Sequence, residues 1–406
     1  MCIRDRARLD RLAAHASMTT SASAAEVSQR AQQWLTSHRY RFVVDDDGSL
    51  RAEAGRHRET GNLVFHIFLV FVLVGVGWNT LWGFKGTSVV VEGQGFSNSI
   101  TQYDEFKAGA MVDTDNLTPF SMKLRKFVVS FETGTVQRGA ARSFDATVDL
   151  TMGGKTQTRD LQVNHPLRIG STKVHLLGHG YAADVVVRDG DGKVAYSGPV
   201  VFLPQDANFK SVGVIKVPDA RPDRLAFQGF FLPTGAITAG GPTSLFPDAL
   251  NPQLYLTAWY GKPTVETGVP SNIYTLDTTG LTQVTNGKDK ARFVLSPGQR
   301  YKLPDGKGSI QFNGWQRWAK IQVSQNPGLP LTFLSVVLSV AGLCVSLFSR
   351  SRRVWVRTIP GDDGLRVEIG GLDRSDSRSG AVDDVNSLLA ALHGDSMSGD
   401  VGEEHS

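Results

Sequence analysis

One stretch limits what this chain can fold into more than any other: GNLVFHIFLVFVLVGVGWNTLWGF, from Gly61 to Phe84. Leu63 to Phe84 contains no Asp, Glu, Lys or Arg, and such a run is long enough to cross a bilayer as one helix. Trp78 and Trp82 stand at one end, where indoles favour the headgroup level. A second charge-free run, LPLTFLSVVLSVAGLCVSLF (Leu329–Phe348), repeats the pattern. The two spans, 63–84 and 329–348, divide the chain into segments 7–62, 85–328 and 349–393. MCIRDR (1–6) follows no structural logic and is expected to be a non-native leader; 394–406 reads as a disordered tail.

Basic residues orient the spans. Arg41, Arg51, Arg56 and Arg58 precede the first span and only Lys85 closely follows it. Arg350, Arg352, Arg353 and Arg357 follow the second, with Arg317 and Lys320 before it. The positive-inside rule then puts both termini in the cytoplasm and 85–328 outside. Trp315 and Trp318 are expected in an outer aromatic belt and Trp355 in an inner one.

The segment 85–328 carries a β signature. Phe144, Ala146, Val148 and Leu150 alternate with Asp145, Thr147 and Asp149, as in a half-buried strand. Val174–Leu177, Ala183–Arg188, Leu254–Trp259, Arg292–Leu295 and Ser309–Phe312 read as further short strands, separated by turn clusters such as Gly153-Gly154. This pattern predicts an antiparallel sandwich-like or barrel-like domain. On the cytoplasmic side, Ser23–Glu26 has capping-box form and opens a helix with Val27, Ala31, Trp34 and Leu35 on one face. Strands Tyr40–Val44 and Ser49–Glu53 flank Asp47-Gly48. After the second span, Val354–Thr358 and Leu365–Ile369 form another hairpin, and Val382, Val385, Leu388, Leu389 and Leu392 mark a second amphipathic helix. Neither half can bury a core alone, so the two are expected to combine into one small α+β domain. The expected fold class is therefore a membrane protein of α+β type.

Composition narrows the chemistry. The net charge is +4 over 406 residues with no long Lys/Arg run, so nucleic acid is not an expected partner. The two cysteines, Cys2 and Cys344, form no CxxC, CxxCH or zinc pattern, which excludes a dithiol oxidoreductase and a c-type cytochrome. Cys344 reads as a small apolar packing residue. No nucleophile elbow, phosphate loop or HExxH occurs, and no catalytic residue is assigned.

His66 does not belong to a plain anchor. An ionisable group at that depth is either a partnered functional residue or an interfacial side chain snorkelling to the headgroups. A neutral imidazole in low dielectric suits the axial position of haem iron, and one histidine supplies one ligand. Of the other histidines, His165 before Pro166 reads as a turn residue. His175 and His179 would share one strand face with Leu177 between them, roughly 13 Å apart and too far to share a metal ion.

Seven stretches in order resemble the ResB (CcsB) family of System II cytochrome c biogenesis. They are Arg58–His66, Glu92–Phe106, Val163–Gly170, Leu176–Tyr181, Phe227–Thr234, Asn251–Gly261 and Gly314–Gly328. The resemblance implies a multi-pass protein of the bacterial cell membrane that works with ResC (CcsA). It implies transient binding of haem b, shared with ResC, and delivery of haem to CxxCH motifs of apocytochrome c. His66 would be an axial ligand to the haem iron, paired with a ligand from ResC. The chain would be a subunit of a holocytochrome c synthase complex without a complete active site of its own. A thioredoxin-like reductant would act indirectly, in keeping with the absence of cysteine from 85–328. The family has two further spans before the first one here, so the chain is expected to be an N-terminally truncated form. The alternative from another class is a two-span β-domain sensor or scaffold without haem.

Overall fold

The computed structural model describes residues 8–393 apart from 13, 264–273, 288, 350, 362–363 and 374–378. The leader 1–6, with Cys2, and the tail 394–406 lie outside the described residues, as does the Asp362-Asp363 turn. Two compact units form: one from the two ends of the chain, up to Gly77 and from Gly328, the other from Trp78–Pro327. Strand dominates, with four α-helices among the described residues: α1 (Ala24–Ser37), α2 (His57–Trp82), α3 (Leu329–Phe348) and α4 (Ser379–His393). Of these, α2 and α3 are long and apolar enough to cross a membrane.

The first unit is built from both ends of the sequence. Its antiparallel sheet has the order Ala14–Thr20, Gly364–Asp373, Arg352–Gly361, Leu50–Ala54, Arg41–Val44. Ser23 and Glu26 close the capping box of α1. Trp34 and Leu35 of α1 and Val385 and Leu388 of α4 then share one core with Leu50, Val356 and Ile369 of the sheet. Polar ties cross the same junction: the Tyr40 hydroxyl donates to Asp384, Arg352 pairs with Asp384, and the Trp34 indole donates to Ser387. Little in the local sequence marks Ala14–Thr20 as a strand: its apolar content is slight, and its place is set by pairing with Gly364–Asp373.

α2 and α3 run antiparallel and touch through small residues. A Cβ on Gly61 would lie 2.6 Å from the Ser346 amide nitrogen, and one on Gly342 would lie 2.8 Å from the Phe65 amide nitrogen. Gly75 leaves room for Thr332. Ser339 Oγ donates to the Phe65 carbonyl at 3.3 Å. Such close approach replaces the hydrophobic drive that lipid cannot supply between helices. Ser335, Ser339 and Gly342 form the buried face of α3. Cys344 lies off that face and is exposed, so it is not the packing residue that its size had implied.

The first span also begins and ends differently from its charge-free limits. The helix starts at His57, admitting Arg58 and Glu59 to its first turn, and stops at Trp82. Phe84 belongs instead to the strand Phe84–Val91, paired with Gln325 and Ala108. A Cβ at Gly83 would run into the Asn79 carbonyl, so the chain turns out of the helix at a residue without one.

In the second unit two long strands, Thr172–Arg188 and Ser309–Gln325, pair along their whole length. At one end Val174, Leu176, Ile321 and Val323 pack against Phe96, Leu124, Phe127, Val148 and Leu161, largely from the sheet Gly95–Ser97, Ser121–Phe131, Ala141–Met152, Lys155–Gln162. At the other end Tyr181, Val185, Ile310 and Phe312 join a second core with Phe202, Phe227 and Phe231. Phe293 and Tyr301 stack at 4.0 Å beside that core. These strands correct two expectations, and the first unit corrects another. Val174–Leu177 and Ala183–Arg188 are one strand, not two. Trp318 is no belt residue: it is buried, and its indole donates to the Tyr181 and Phe202 carbonyls, while Trp315 packs edge-on against Tyr181. Trp355 is likewise buried, against Leu9 and Leu12 of the first unit.

Candidate functional site

Gly55, with φ +80, closes the strand before α2, and the first turn of the helix carries Glu59. Beyond Asn62 most side chains are apolar and there is no proline, so the helix propagates to Trp82. Gly61, Val64 and Phe65 meet α3. His66 falls on the other side and is exposed. A rise of about 1.5 Å per residue puts it roughly 14 Å from the start of the helix.

The orientation of its ring follows from one bond. His66 Nδ1 lies 2.8 Å from the Asn62 carbonyl oxygen, one turn back. A carbonyl oxygen can only accept, so the proton of the neutral ring sits on Nδ1. Nε2 is left with its lone pair, on the nitrogen farther from the helix axis. Metal-bound histidines are commonly held this way, the second ring nitrogen donating to a carbonyl. The Phe65 ring stands edge-on at 5.0 Å, and Leu63, Leu69, Val70 and Leu73 are exposed nearby. The donor set is thus one imidazole on an apolar surface. That fits one axial position of a haem iron and the flat apolar face of the macrocycle. Among the described residues no three His, Cys, Asp or Glu gather around a metal position, so any second ligand has to come from outside this constellation.

The three histidines of the second unit are not brought together. His165 is exposed in the turn closed by the Gln162–His165 bridge. His175 pairs with Gln322, and His179 with Ala319, across the two long strands. A β-bulge at Leu177 shifts the register between them. It puts His179 on the face of Ala319 and Ile321, and leaves His175 on the opposite face. The expectation that they share a face is therefore wrong, because one inserted residue inverts the alternation.

His179 sits among aromatic rings. It stacks on Phe209 at 4.7 Å and has Phe144 at 5.1 Å, Phe127 at 5.7 Å and Phe131 at 6.3 Å. Its Nδ1 is buried without a hydrogen-bond partner among the described residues. Burial, with the Arg317 guanidinium a lesser influence, pushes its pKa down to about 4. Arg317 is itself buried, paired with Asp248 at 2.7 Å and lying over the Tyr181 ring at 4.8 Å. Sequence reading missed this aromatic box, since its four phenylalanines come from two strands and a loop that are separate in the chain from the strand of His179.

The chain is 22% identical over 316 residues to cytochrome c biogenesis protein CcsB of a Synechococcus species, covering 77% of this chain and 55% of that protein. It is 20% identical over 331 residues to the protein of the same name from Microcystis aeruginosa, covering 81% and 60%. A shorter match, 28% over 136 residues, links it to CcsB of a Picosynechococcus species, covering 33% of this chain and 27% of that protein. The chain thus spans little more than half the length of the curated relatives that it matches most extensively. Two apolar helices together with these relatives point to a membrane protein. The model of the ResB-like family matches residues 3–382, nearly the whole sequence, and the chain belongs to that family.

Proposed function

We propose that this chain is a membrane subunit of the apparatus that matures c-type cytochromes, working with a ResC (CcsA) partner. In this reading His66 supplies one axial ligand to a haem b that the two subunits share. The observation that carries it is the His66 Nδ1 bond to the Asn62 carbonyl, which presents a free Nε2 on an apolar, exposed helix face. Similarity to proteins named cytochrome c biogenesis protein CcsB supports the same reading.

Each residue has a separate task. Nε2 of His66 offers the lone pair; the Asn62 carbonyl holds the Nδ1 proton and keeps the ring from turning. Leu63, Leu69, Val70 and Leu73 exclude water from the approach. Haem, when bound, is the group destined for the thiols of a CxxCH motif on apocytochrome c. The family resemblance implies a thioredoxin-like protein as the source of reducing equivalents, in keeping with the absence of cysteine from 85–328. Both termini lie in the cytoplasm and 85–328 outside. In a chain freed of Cys2 and Cys344, an impermeant thiol reagent added outside should label Gly153→Cys and spare Asp47→Cys; the reverse pattern sinks this topology.

The test of the haem assignment is His66→Ala in the complete complex with the ResC partner. Haem content should fall severalfold at unchanged protein level, and added imidazole should partly restore it. A normal haem spectrum with normal cytochrome c maturation would leave the chain a two-span scaffold.

A further inference from the structure

A cavity of about 320 Å3 opens beside the first turns of α2. All the residues that line it are polar: Arg58, Glu59 and Asn62 from α2, with Ser346 and Ser351 from the end of α3 and just beyond it. Arg58 is half-buried, and its side chain has no hydrogen-bond or ion-pair partner among the described residues. It does not pair with Glu59, which is exposed. A guanidinium held at the edge of an apolar helix, with an amide and two hydroxyls around it, is a receptor for an oxyanion, best for a planar carboxylate.

The position of this cavity relative to His66 gives it meaning. Arg58, Asn62 and His66 are four residues apart in succession, so they stack on one side of α2. Asn62 lies about 6 Å and Arg58 about 12 Å below His66 along the axis, at about 1.5 Å per residue. Asn62 belongs to both places: it lines the cavity, and its carbonyl fixes the His66 ring. Above His66 the exposed side chains are Leu69, Val70 and Leu73. Along this side of the helix the order is therefore oxyanion receptor, imidazole, apolar surface. Haem has the same order across its plane: two carboxylates at one edge, iron at the centre, apolar substituents at the other edge.

We infer that the Arg58–Asn62–Ser346–Ser351 cavity holds the propionate carboxylates of the haem whose iron His66 ligates, and so sets which edge of the haem faces the start of α2. This inference rests on the haem reading of His66 and adds to it an orientation and a carboxylate subsite. Glu59 is the opposing charge on the lining. A phospholipid phosphate is the other oxyanion found at such a depth, and the experiment separates the two.

The test uses the full-length protein in complex with its ResC partner, loaded with either haem or haem dimethyl ester, in membranes containing phosphatidylglycerol. The readouts are retention of each pigment, the absorption spectrum and co-purified phosphatidylglycerol. Arg58→Gln should lower the ratio of haem to ester retained about tenfold, the loss of one charge-assisted contact, without moving the spectrum of what remains bound. Glu59→Gln should shift the ratio the opposite way, which a merely structural role for this turn would not do. An unchanged ratio in Arg58→Gln overturns the inference, and loss of phosphatidylglycerol at an unchanged ratio assigns the cavity to lipid instead. His66→Ala keeps the outcomes distinct. It should lose both pigments; if it retains both, the haem reading fails, whereas if only the Arg58 result fails, that reading stands.

Discussion

His66 and His179 are both surrounded by apolar groups, yet the molecule treats them in opposite ways. His66 stands on the outside of a helix, with Nδ1 tied to the Asn62 carbonyl and Nε2 open. His179 is turned inward by a bulge, boxed by four phenylalanines, with Nδ1 buried and unpaired among the described residues. An apolar setting alone does not make a ligand. The ring also needs one nitrogen held and the other accessible. His66 meets both conditions; His179 is built as a neutral wedge between the two cores of its unit.

Exchanging each histidine for a ring without nitrogen gives the largest contrast. In the complete complex, His66→Phe should reduce haem content about tenfold or more, equivalent to at least one lost coordination contact, while His179→Phe should leave it unchanged. Equal loss in both variants would erase the distinction.

Acid should reveal His179 instead. Its folded pKa of about 4 lies below the ordinary value of 6.5. Above pH 6.5 the ring is neutral in both folded and unfolded chains, so no stability depends on it. As pH falls from 6.5 towards 4 the unfolded chain takes up a proton that the folded chain refuses, and stability is lost across that window. The loss is about 3 kcal/mol at full extent. Thermal midpoints of the wild type and His179→Phe, followed by tryptophan fluorescence between pH 7 and 4.5, should converge on acidification if His179→Phe starts lower, or diverge in its favour if it starts equal. Parallel pH profiles would show that His179 already has a proton partner.

The contact of α2 with α3, on the face opposite His66, can be tested through the glycines on its two sides, Gly61 of α2 and Gly342 of α3. Gly61→Leu or Gly342→Leu drives a side chain into backbone atoms less than 3 Å away. Either should cost about 1–3 kcal/mol by overpacking, read as a lower detergent-melting midpoint. Val70→Leu on the exposed face should leave that midpoint within error. Similar losses on both faces would mean that the partition of α2 into a packed side and an open side is wrong.

The smallest expected effect lies furthest from either histidine. Ser23→Ala removes the side chain that accepts from the Glu26 amide at the start of α1. It should destabilise the first unit by about 1 kcal/mol and leave haem content alone. A loss of haem here would show that the α1 end of the unit governs the His66 site.

Local pattern carried much of this structure in plain view. Two charge-free runs specify two apolar helices, because nothing in them could pay for another environment. The Ser23–Glu26 box, the Asp47-Gly48 turn and the alternation from Phe144 to Leu150 each involve neighbours within a few residues, where sequence order and spatial order coincide. The histidine in the first run was visible for the same reason: its surroundings are its own helix. Tertiary structure decided the rest. Ala14–Thr20 became a strand because Gly364–Asp373 offered it an edge. Trp315 and Trp318 entered a core because their strand is paired on both sides within a sheet. His179 changed faces at a single extra residue, Leu177. Periodicity reports burial only while the phase of a strand is kept, and a bulge resets that phase through pairing with a partner more than a hundred residues away in the chain, which no local window contains.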